Sequence, residues 1–491
     1  MRLLASDLMT YFRPCVCELR VRLREKSEPE GEPSAFEEIL RELGRRHEQQ
    51  HLATLGQYAD LSGIKLPDRF SKTVEAITAK AAVVYQPAFT VRTKLNGIDA
   101  EIVGLPDYLI RDGNGYAIRD SKLSRHIDEK SHPEIKLQIQ LYGWLFEQTT
   151  KQPPERLQVH SGTGVVIDIQ NDGGNNALEL LGRMAELRQL GEAPYEPVGW
   201  SKCNGCGFFE RCWKAAETLD DVALLMDVDQ GLARALHAIG VHTPQQLLKT
   251  FTAEKLAEFT RPWGKNQKRV GKPAERILQL AEVAITKQDR VLANPNIPDD
   301  ANFVMFDLEG MPPYLDETDQ IYLWGMQVFG AKPTQYMAAT AEFGENGDKP
   351  GWLAFLRLCG ELFNKYGDIR FIHWAAYEKT NITRYIERYG DPDGIAAKVR
   401  GSLLDLYTVA KNSLLLPLPS FSLKIVEKHV GYKRTQTEYG GDWSMAKFIE
   451  ATETNDEAKR REVMDEILKY NREDLEAMWA VFDWLRSKKV P

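Results

Sequence analysis

The sequence predicts an α/β protein: two α/β domains joined by a helical module. Three observations carry this. A turn signal, DGNG at 112–115, separates DYLI from YAIRDSK as in a β-hairpin, among segments with helical periodicity. From residue 216 to 292 the pattern becomes helical. After the punctuated connector ANPNIPDDAN, residues 293–302, a second set of strand patterns begins and ends in a long helix. At about 150 residues per domain, 491 residues accommodate these three parts, 1–215, 216–292 and 293–491.

Each element has its own signal. AFEEILRELGRRHEQQHLATLGQYADL and EIKLQIQLYGWLFEQ read as helices that bracket the strands of the first part. In LARALHAIGVHTPQQLLKTF the pattern is helix, turn, helix, with Thr243 as N-cap and Pro244 at the first helical position. NFVMFDLEG, IYLWGMQVF and IRFIHWAAYE read as strands of the last part, and EILKYNREDLEAMWAVFDWL as its closing helix. Cys359, within the apolar WLAFLRLCGELF, reads as a core residue.

Composition excludes some classes. With 43% hydrophobic and 27% charged residues, the chain can build cores and is not disordered throughout. No apolar run reaches the length of a membrane span, and Asp7 interrupts MRLLASDLMTYF before it could serve as a signal-peptide core. Six cysteines in a chain of this length suit a reducing cytoplasm, the expected location. A net charge of −8 argues against a wholly basic nucleic-acid binder. It remains compatible with carboxylate-rich metal sites beside local basic patches.

GLPDYLIRDGNGYAIRDSKL places Asp107 at the end of one half of the proposed hairpin and Asp120 with Lys122 on the other. Residues two apart on a strand share a face, so Asp120 and Lys122 point the same way. Two aspartates can hold a hard divalent cation, which lowers the pKa of a bound water. A lysine beside them offsets charge on a phosphoryl transition state. D-x-K alone is usually an ordinary solvated hairpin. The ordered set Gly104, Pro106 and Asp107, then Asp120, Ser121 and Lys122, then Gln138 and Tyr142, resembles the PD-(D/E)xK nucleases of the RecB-like family. GRRHEQ adds Gly44 and His47 in the G-x-x-H setting of that family's upstream helix. The resemblance implies a restriction-endonuclease-like domain, with His47, Asp107 and Asp120 as metal ligands and Lys122 as the catalytic lysine. Gln138 and Tyr142 would contact DNA or order the site. His51 reads as a surface histidine.

CNGCGFFERC, residues 203–212, holds three of the six cysteines. The RecB-like branch that includes CRISPR-associated and helicase-linked nucleases often brackets its core with an iron–sulfur cluster. By that resemblance Cys203, Cys206 and Cys212 are joined by Cys17 of CELRVRL, where Arg20 and Leu23 complete the pattern; Cys15 is the alternative fourth ligand. Four thiolates suit a [4Fe–4S] cluster and equally a tetrahedral zinc. Either would act as a structural staple between the two ends of the first domain.

Asp307 and Glu309 in FVMFDLEG share one strand face, and Tyr470 and Asp474 in KYNREDLEAMW lie one helical turn apart. Strand D-x-E with late helical Y-x-x-x-D resembles the DEDDy exonucleases of the RNase H superfamily, in particular the YprB-type branch. SFSLKIVEKHVGY at 420–432 resembles the segment before that branch's last helix. The resemblance implies two Mg2+ or Mn2+ ions, about 4 Å apart, clamping the attacking and leaving oxygens of a phosphodiester. Asp307 would bridge them, Glu309 and Asp474 would complete the shells, and Tyr470 would orient or deprotonate the water. The middle acid is Glu378 of HWAAYEK, where the family usually has aspartate, or Asp405 of SLLDLY.

In the middle part, IGVHTPQQLL resembles half of a helix–hairpin–helix element. RPWGKNQKRVGKPAERI gathers Arg261, Lys265, Lys268, Arg269 and Lys272 around Trp263. An aromatic among cations suits single-stranded nucleic acid; a solvated helical linker is the plainer reading. Together these resemblances imply a metal-dependent DNA nuclease with two active sites, working on single strands or duplex ends. Its setting would be repair or defence, including CRISPR adaptation. A separate helicase or a defence complex is the implied partner, since the chain has no G-x-x-x-x-G-K-[ST] loop. The alternatives are a nucleic-acid-binding scaffold with inactive sites, and a C-terminal domain that acts on RNA.

Overall fold

The computed structural model describes residues 1–124, 127–128, 132–264, 266–311, 320–342, 347–437 and 440–490. The first domain is built on a six-stranded mixed sheet. Its strand order is Ala59–Asp60, Val83–Tyr85, Tyr108–Asp112, Gly115–Ser121, Arg156–His160 and Val166–Ile169. The central pair is the expected hairpin, with Tyr108 opposite Arg119 and Asp112 opposite Gly115. A second sheet, Arg2–Leu4, Ile98–Gly104 and Phe89–Leu95, packs with it around the helix Pro133–Thr150. That helix buries Ile135, Ile139, Tyr142, Leu145 and Phe146, a stripe wide enough to serve both sheets.

The connecting module has its own small core, including Val222, Leu232, Leu236, Leu247, Leu256 and Ile277. Helices Gln230–Ala238 and Pro244–Thr250 form the expected pair. The Thr243 side chain accepts from the Gln246 amide, and the Gln246 side chain reaches back to the Thr243 amide, a reciprocal cap. Residues 260–264 and 266–269 depart from the helical expectation. They form a two-stranded antiparallel hairpin, Thr260–Trp263 with Asn266–Arg269. Pro262 opposes a helix there, and Gly264 turns the chain with φ +59°. On this hairpin Trp263, 53% exposed, is flanked by Arg261 and Lys268 at 4.7 and 4.4 Å from its ring centre. Lys265 lies outside the described residues.

The last domain is a five-stranded sheet in the order Met337–Thr340, Gln320–Gly330, Asn302–Met311, Arg370–His373 and Leu403–Asp405. The first three strands pair antiparallel and the last two join in parallel. IRFIHWAAYE is therefore only partly strand. The chain leaves the sheet after His373, turns through Ala375 at φ +70°, and enters the helix Tyr377–Tyr389. Alternation along Asn302–Met311 sorts the two faces. Val304, Phe306 and Leu308 pack with Trp324, Trp352 and Phe355, while Phe303 and Met305 pack under the closing helix Glu457–Arg486. Asp307 and Glu309 continue the second face beyond its apolar part.

The domains are tied together. Ile39 and Leu43, on the helix Ala35–Thr54, pack against a cluster of Tyr322, Phe448, Ile449 and Ile467. Arg290–Val291 pairs with Leu414–Leu415. No helix among the described residues is long and apolar enough to cross a membrane.

Gly104 explains the glycine of the G-x-P-D stretch. A Cβ there would stand 2.4 Å from Leu145 Cδ1 and 2.9 Å from Tyr142 Cδ1, both on the buried helix. Gly104→Ala is expected to destabilise the first domain by about 1–3 kcal/mol through overpacking. A lower denaturation midpoint for that domain would be the readout. An unchanged midpoint would mean that the helix can withdraw.

Candidate active sites

In the first domain, the hairpin register brings the predicted acids together. The Asp107 amide donates to Asp120 Oδ1 at 3.1 Å, and the Ser121 amide donates to Asp107 Oδ2 at 2.7 Å. Lys122 Nζ lies 2.7 Å from Asp120 Oδ2. Burial, then the charges of Asp120 and Glu48, push the Asp107 carboxyl well above its ordinary range. Burial works against the charge of Lys122, but Asp120 and Asp107 outweigh it and hold the ammonium above its usual value. Gln138 Nε2 donates to the Tyr142 hydroxyl at 3.0 Å, which donates to the Leu105 carbonyl at 3.1 Å. This chain braces the loop carrying Asp107.

His47 stands differently from the expectation. Its ring stacks on His160 at 4.4 Å, and no set of three ligand atoms within 4.8 Å joins it to Asp107 and Asp120 among the described residues. Glu48, one residue on, faces the acids instead. Its Oε1 accepts from Gln86 Nε2 at 2.7 Å, and the same nitrogen donates to Asp107 Oδ1 at 3.1 Å. Glu48 went unread although it adjoins His47 in GRRHEQ. His51 is not a surface residue: it is buried, stacks on His160 at 3.8 Å, and meets Arg119 through Nε2 at 3.1 Å. Burial, then Arg119, lowers its pKa to about 4.

In the last domain, one oxygen each of Asp307, Glu309 and Asp474 lies within 4.8 Å of the others. Strand alternation supplies the first two and the closing helix the third. Burial, then Asp474, Glu309 and Glu378, raises Asp307 well above the usual carboxylate range, against the pull of Lys424. Burial and Asp474 push Glu309 up to about 8. Burial, then the charge of Asp474, raises the Tyr470 hydroxyl well above its ordinary value, so it keeps its proton.

Glu378 is buried on the first turn of its helix, with Oε2 3.1 Å from His373 Nδ1, and lies outside the three-acid set. Its charge nonetheless acts on Asp307. Asp405 is engaged as a helix cap, accepting from the Ala375 amide at 3.0 Å and the Thr408 amide at 3.3 Å.

Two cations enter this acidic site from residues that the motif reading passed over. Arg434 holds Glu427 through two bonds of 2.7 Å and also contacts Asp474. Lys424 Nζ lies 5.3 Å from the Tyr470 ring centre. Lys424 sits inside SFSLKIVEKHVGY, so its signal was in view; Arg434 follows that stretch with nothing local to mark it.

Cys15, Cys17, Cys203, Cys206 and Cys212 line one cavity with Leu23, Phe208 and Phe209, and none forms a disulfide. Cys17 Sγ accepts from the Arg20 amide at 3.4 Å, and Arg20 Nη1 approaches Cys206 Sγ at 3.9 Å. A hydrogen bond from Cys15 lowers Cys203 to about 6, while burial raises Cys17 and Cys212 to about 11. Among the described residues no three of these sulfurs lie within 4.8 Å of one another, so the thiols share a cavity without forming a closed ligand set. Cys359 is separately buried in the core, 3.6 Å from Met326 Sδ.

Glu309 gives the second site a definite pH behaviour. A divalent ion must displace its proton, so Mn2+ affinity should rise as pH approaches about 8 and level off above it. With chelator present, this group should make folding less favourable as pH rises from the ordinary carboxylate range through about 8. The native chain there holds a proton that the unfolded chain has released. Glu309→Gln should flatten both trends, measured by calorimetric Mn2+ titration and by Tm against pH.

Residues 16–213 match the model of the PD-(D/E)XK nuclease superfamily, and residues 304–486 match RNase_H_2, of the RNase_H superfamily. The comparison with curated proteins gives no match. Among solved structures, the crystal structure of SSO0001 is 17% identical, with 43% of this chain and 85% of that chain covered and a TM-score of 0.22. The chain thus joins a PD-(D/E)XK nuclease superfamily domain to an RNase_H superfamily domain.

Proposed function

We propose that the protein is a metal-dependent deoxyribonuclease with two active sites, hydrolysing phosphodiester bonds at single-stranded or duplex DNA ends. The observation that carries this is the convergence of half-buried Asp307 with buried Glu309 and Asp474, from distant segments, into one set. Three acids gathered against their mutual repulsion favour a divalent cation as their occupant. In this reading Asp307, Glu309 and Asp474 hold Mg2+ or Mn2+ with Glu378 beside them. In the first domain Asp107 and Asp120 hold a like ion, with His47 near and Glu48 linked through Gln86. Bound there, such ions activate water and offset phosphoryl charge.

The chain's own groups have separable tasks. Lys122, clamped to Asp120, keeps a fixed positive charge at the first site. Gln138 and Tyr142 hold the Asp107 loop. The Tyr470 hydroxyl keeps its proton and orients, in preference to deprotonating, its neighbours. Cys203, Cys206 and Cys212, with Cys17 or Cys15, hold a [4Fe–4S] cluster or a zinc ion as a staple between residues 15–17 and 203–212. The RecB-like and YprB-type resemblances favour exonuclease action in the cytoplasm, in repair or defence, beside a helicase or a defence complex.

A second reading has its own observation. Glu378 stands where aspartate is usual, and Arg434 contacts Asp474. Both favour a second site that binds nucleic acid without cutting it; RNA is the other substrate for an active one.

End-labelled single- and double-stranded DNA, with matched RNA, should be degraded in Mn2+. Lys122→Ala and Asp307→Asn should each abolish one component of that activity, by on the order of 100-fold or more. If neither substitution lowers degradation while binding persists, the scaffold reading replaces the nuclease. Anaerobically purified protein should contain iron and absorb in the visible, and Cys206→Ser should lose both. Zinc in place of iron would select the other occupant.

A further inference from the structure

Asn471 follows Tyr470 and precedes Asp474 by three positions on the closing helix, and it is fully buried. A buried amide must have its hydrogen bonds met, so its partners define its role. Its Nδ2 donates to Asp307 Oδ2 at 2.7 Å. Its Oδ1 accepts from the Tyr336 hydroxyl at 2.9 Å. The Asp307 oxygen accepts from the nitrogen side of the amide, and the oxygen side accepts from the Tyr336 hydroxyl. One residue therefore links an acid of the cluster to Tyr336.

The opposite strand is cut away to admit it. Gly325 is the register partner of Asp307. A Cβ at that position would stand 1.6 Å from Asn471 Oδ1 and 3.2 Å from the Tyr336 hydroxyl. A glycine in the middle of a long buried strand costs sheet stability, and close approach of another group is the usual reason for one.

We propose that Asn471 is a positioning residue of the second site. By bonding Asp307 it holds the rotamer that brings a carboxylate oxygen towards Glu309 and Asp474, and so sets the affinity of the cluster for divalent metal. The inference rests on reading that cluster as a metal site, and it adds Asn471, Tyr336 and Gly325 to what the acidic motif contains.

The test uses full-length protein with the first site disabled by Asp120→Asn, and Mn2+ itself as the probe, followed by calorimetry and by electron paramagnetic resonance. Asn471→Ala is expected to weaken Mn2+ binding by roughly 10- to 100-fold, in the range of substitutions behind metal ligands. On an end-labelled strand, kcat should fall with KM unchanged. Gly325→Ala should reproduce the loss by displacing the amide, and should add nothing in the Asn471→Ala background, since the two act through one contact. Should Asn471→Ala fail to fold, Tyr336→Phe, which removes only the bond to the amide oxygen, carries the test with a smaller loss expected. Parent-like Mn2+ affinity in these variants, with affinity lost in Asp307→Asn, overturns the positioning role alone. Parent-like affinity in Asp307→Asn as well overturns the metal site, and both the proposed function and this inference fall with it.

Discussion

Carboxylates held at one point repel, and the two sites of this protein are organised around that repulsion. Two full charges 4 Å apart cost about 4 kcal/mol at an effective dielectric of about 20, and each also loses water on burial. The acids relax partly by holding protons, which is why burial and neighbouring acids raise Asp107, Asp307 and Glu309 together. The rest of the cost is met by placed donors and cations. At the first site these are the Ser121 amide, Gln86 and Lys122. At the second they are Asn471, Lys424 and Arg434.

The sites differ in where the compensating charge comes from. Lys122 lies two residues from Asp120, and register alone delivers it. Arg434 and Lys424 arrive from a segment far along the chain. Arg434 is itself fixed by Glu427, a buried ion pair complete only with all three partners. Breaking such a set by removing one partner leaves an uncompensated buried charge. The second site is thus more dependent on tertiary packing than the first.

The same difference governs what the sequence made legible. Hairpin, strand D-x-E and helical Y-x-x-x-D are local patterns with periods of two and about four, so Asp107 could be set opposite Asp120, Asp307 beside Glu309 and Tyr470 beside Asp474 on pattern alone, while the joining of Asp307 to Asp474 was implied by the resemblance to DEDDy exonucleases. The reciprocal cap of Thr243 was legible for the same reason. What escaped was set by contact between distant segments. Asn471 looks like an ordinary helix residue until Gly325 is seen opposite it. His51 looks solvated until His160 and Arg119 cover it. Residues 260–269 looked helical because their charges and single tryptophan carry no strong period, and Pro262 with Gly264 decided the turn. Spacing did not separate Glu378 from Asp405: Asp405 caps a helix, Glu378 pairs with His373, and neither joins the three-acid set.

The helix Ala35–Thr54 links these two electrostatic problems in one packed body. Its later turns present His47, Glu48 and His51 to the first site. Its earlier turns set Ile39 and Leu43 against the cluster that contains Tyr322 and Phe448, and Arg46 pairs with Glu453 at 2.8 Å. Tyr322 in turn meets Ser444 at 2.8 Å, and Ser444 works against burial to lower the Glu309 carboxyl. The surface pair adds little by itself. The apolar contact matters more, because shifting it would move a wall of both sites at once. The position of Glu48 against Asp107 and the position of Ser444 against Glu309 are therefore fixed by a common interface, although the acids they serve belong to different domains.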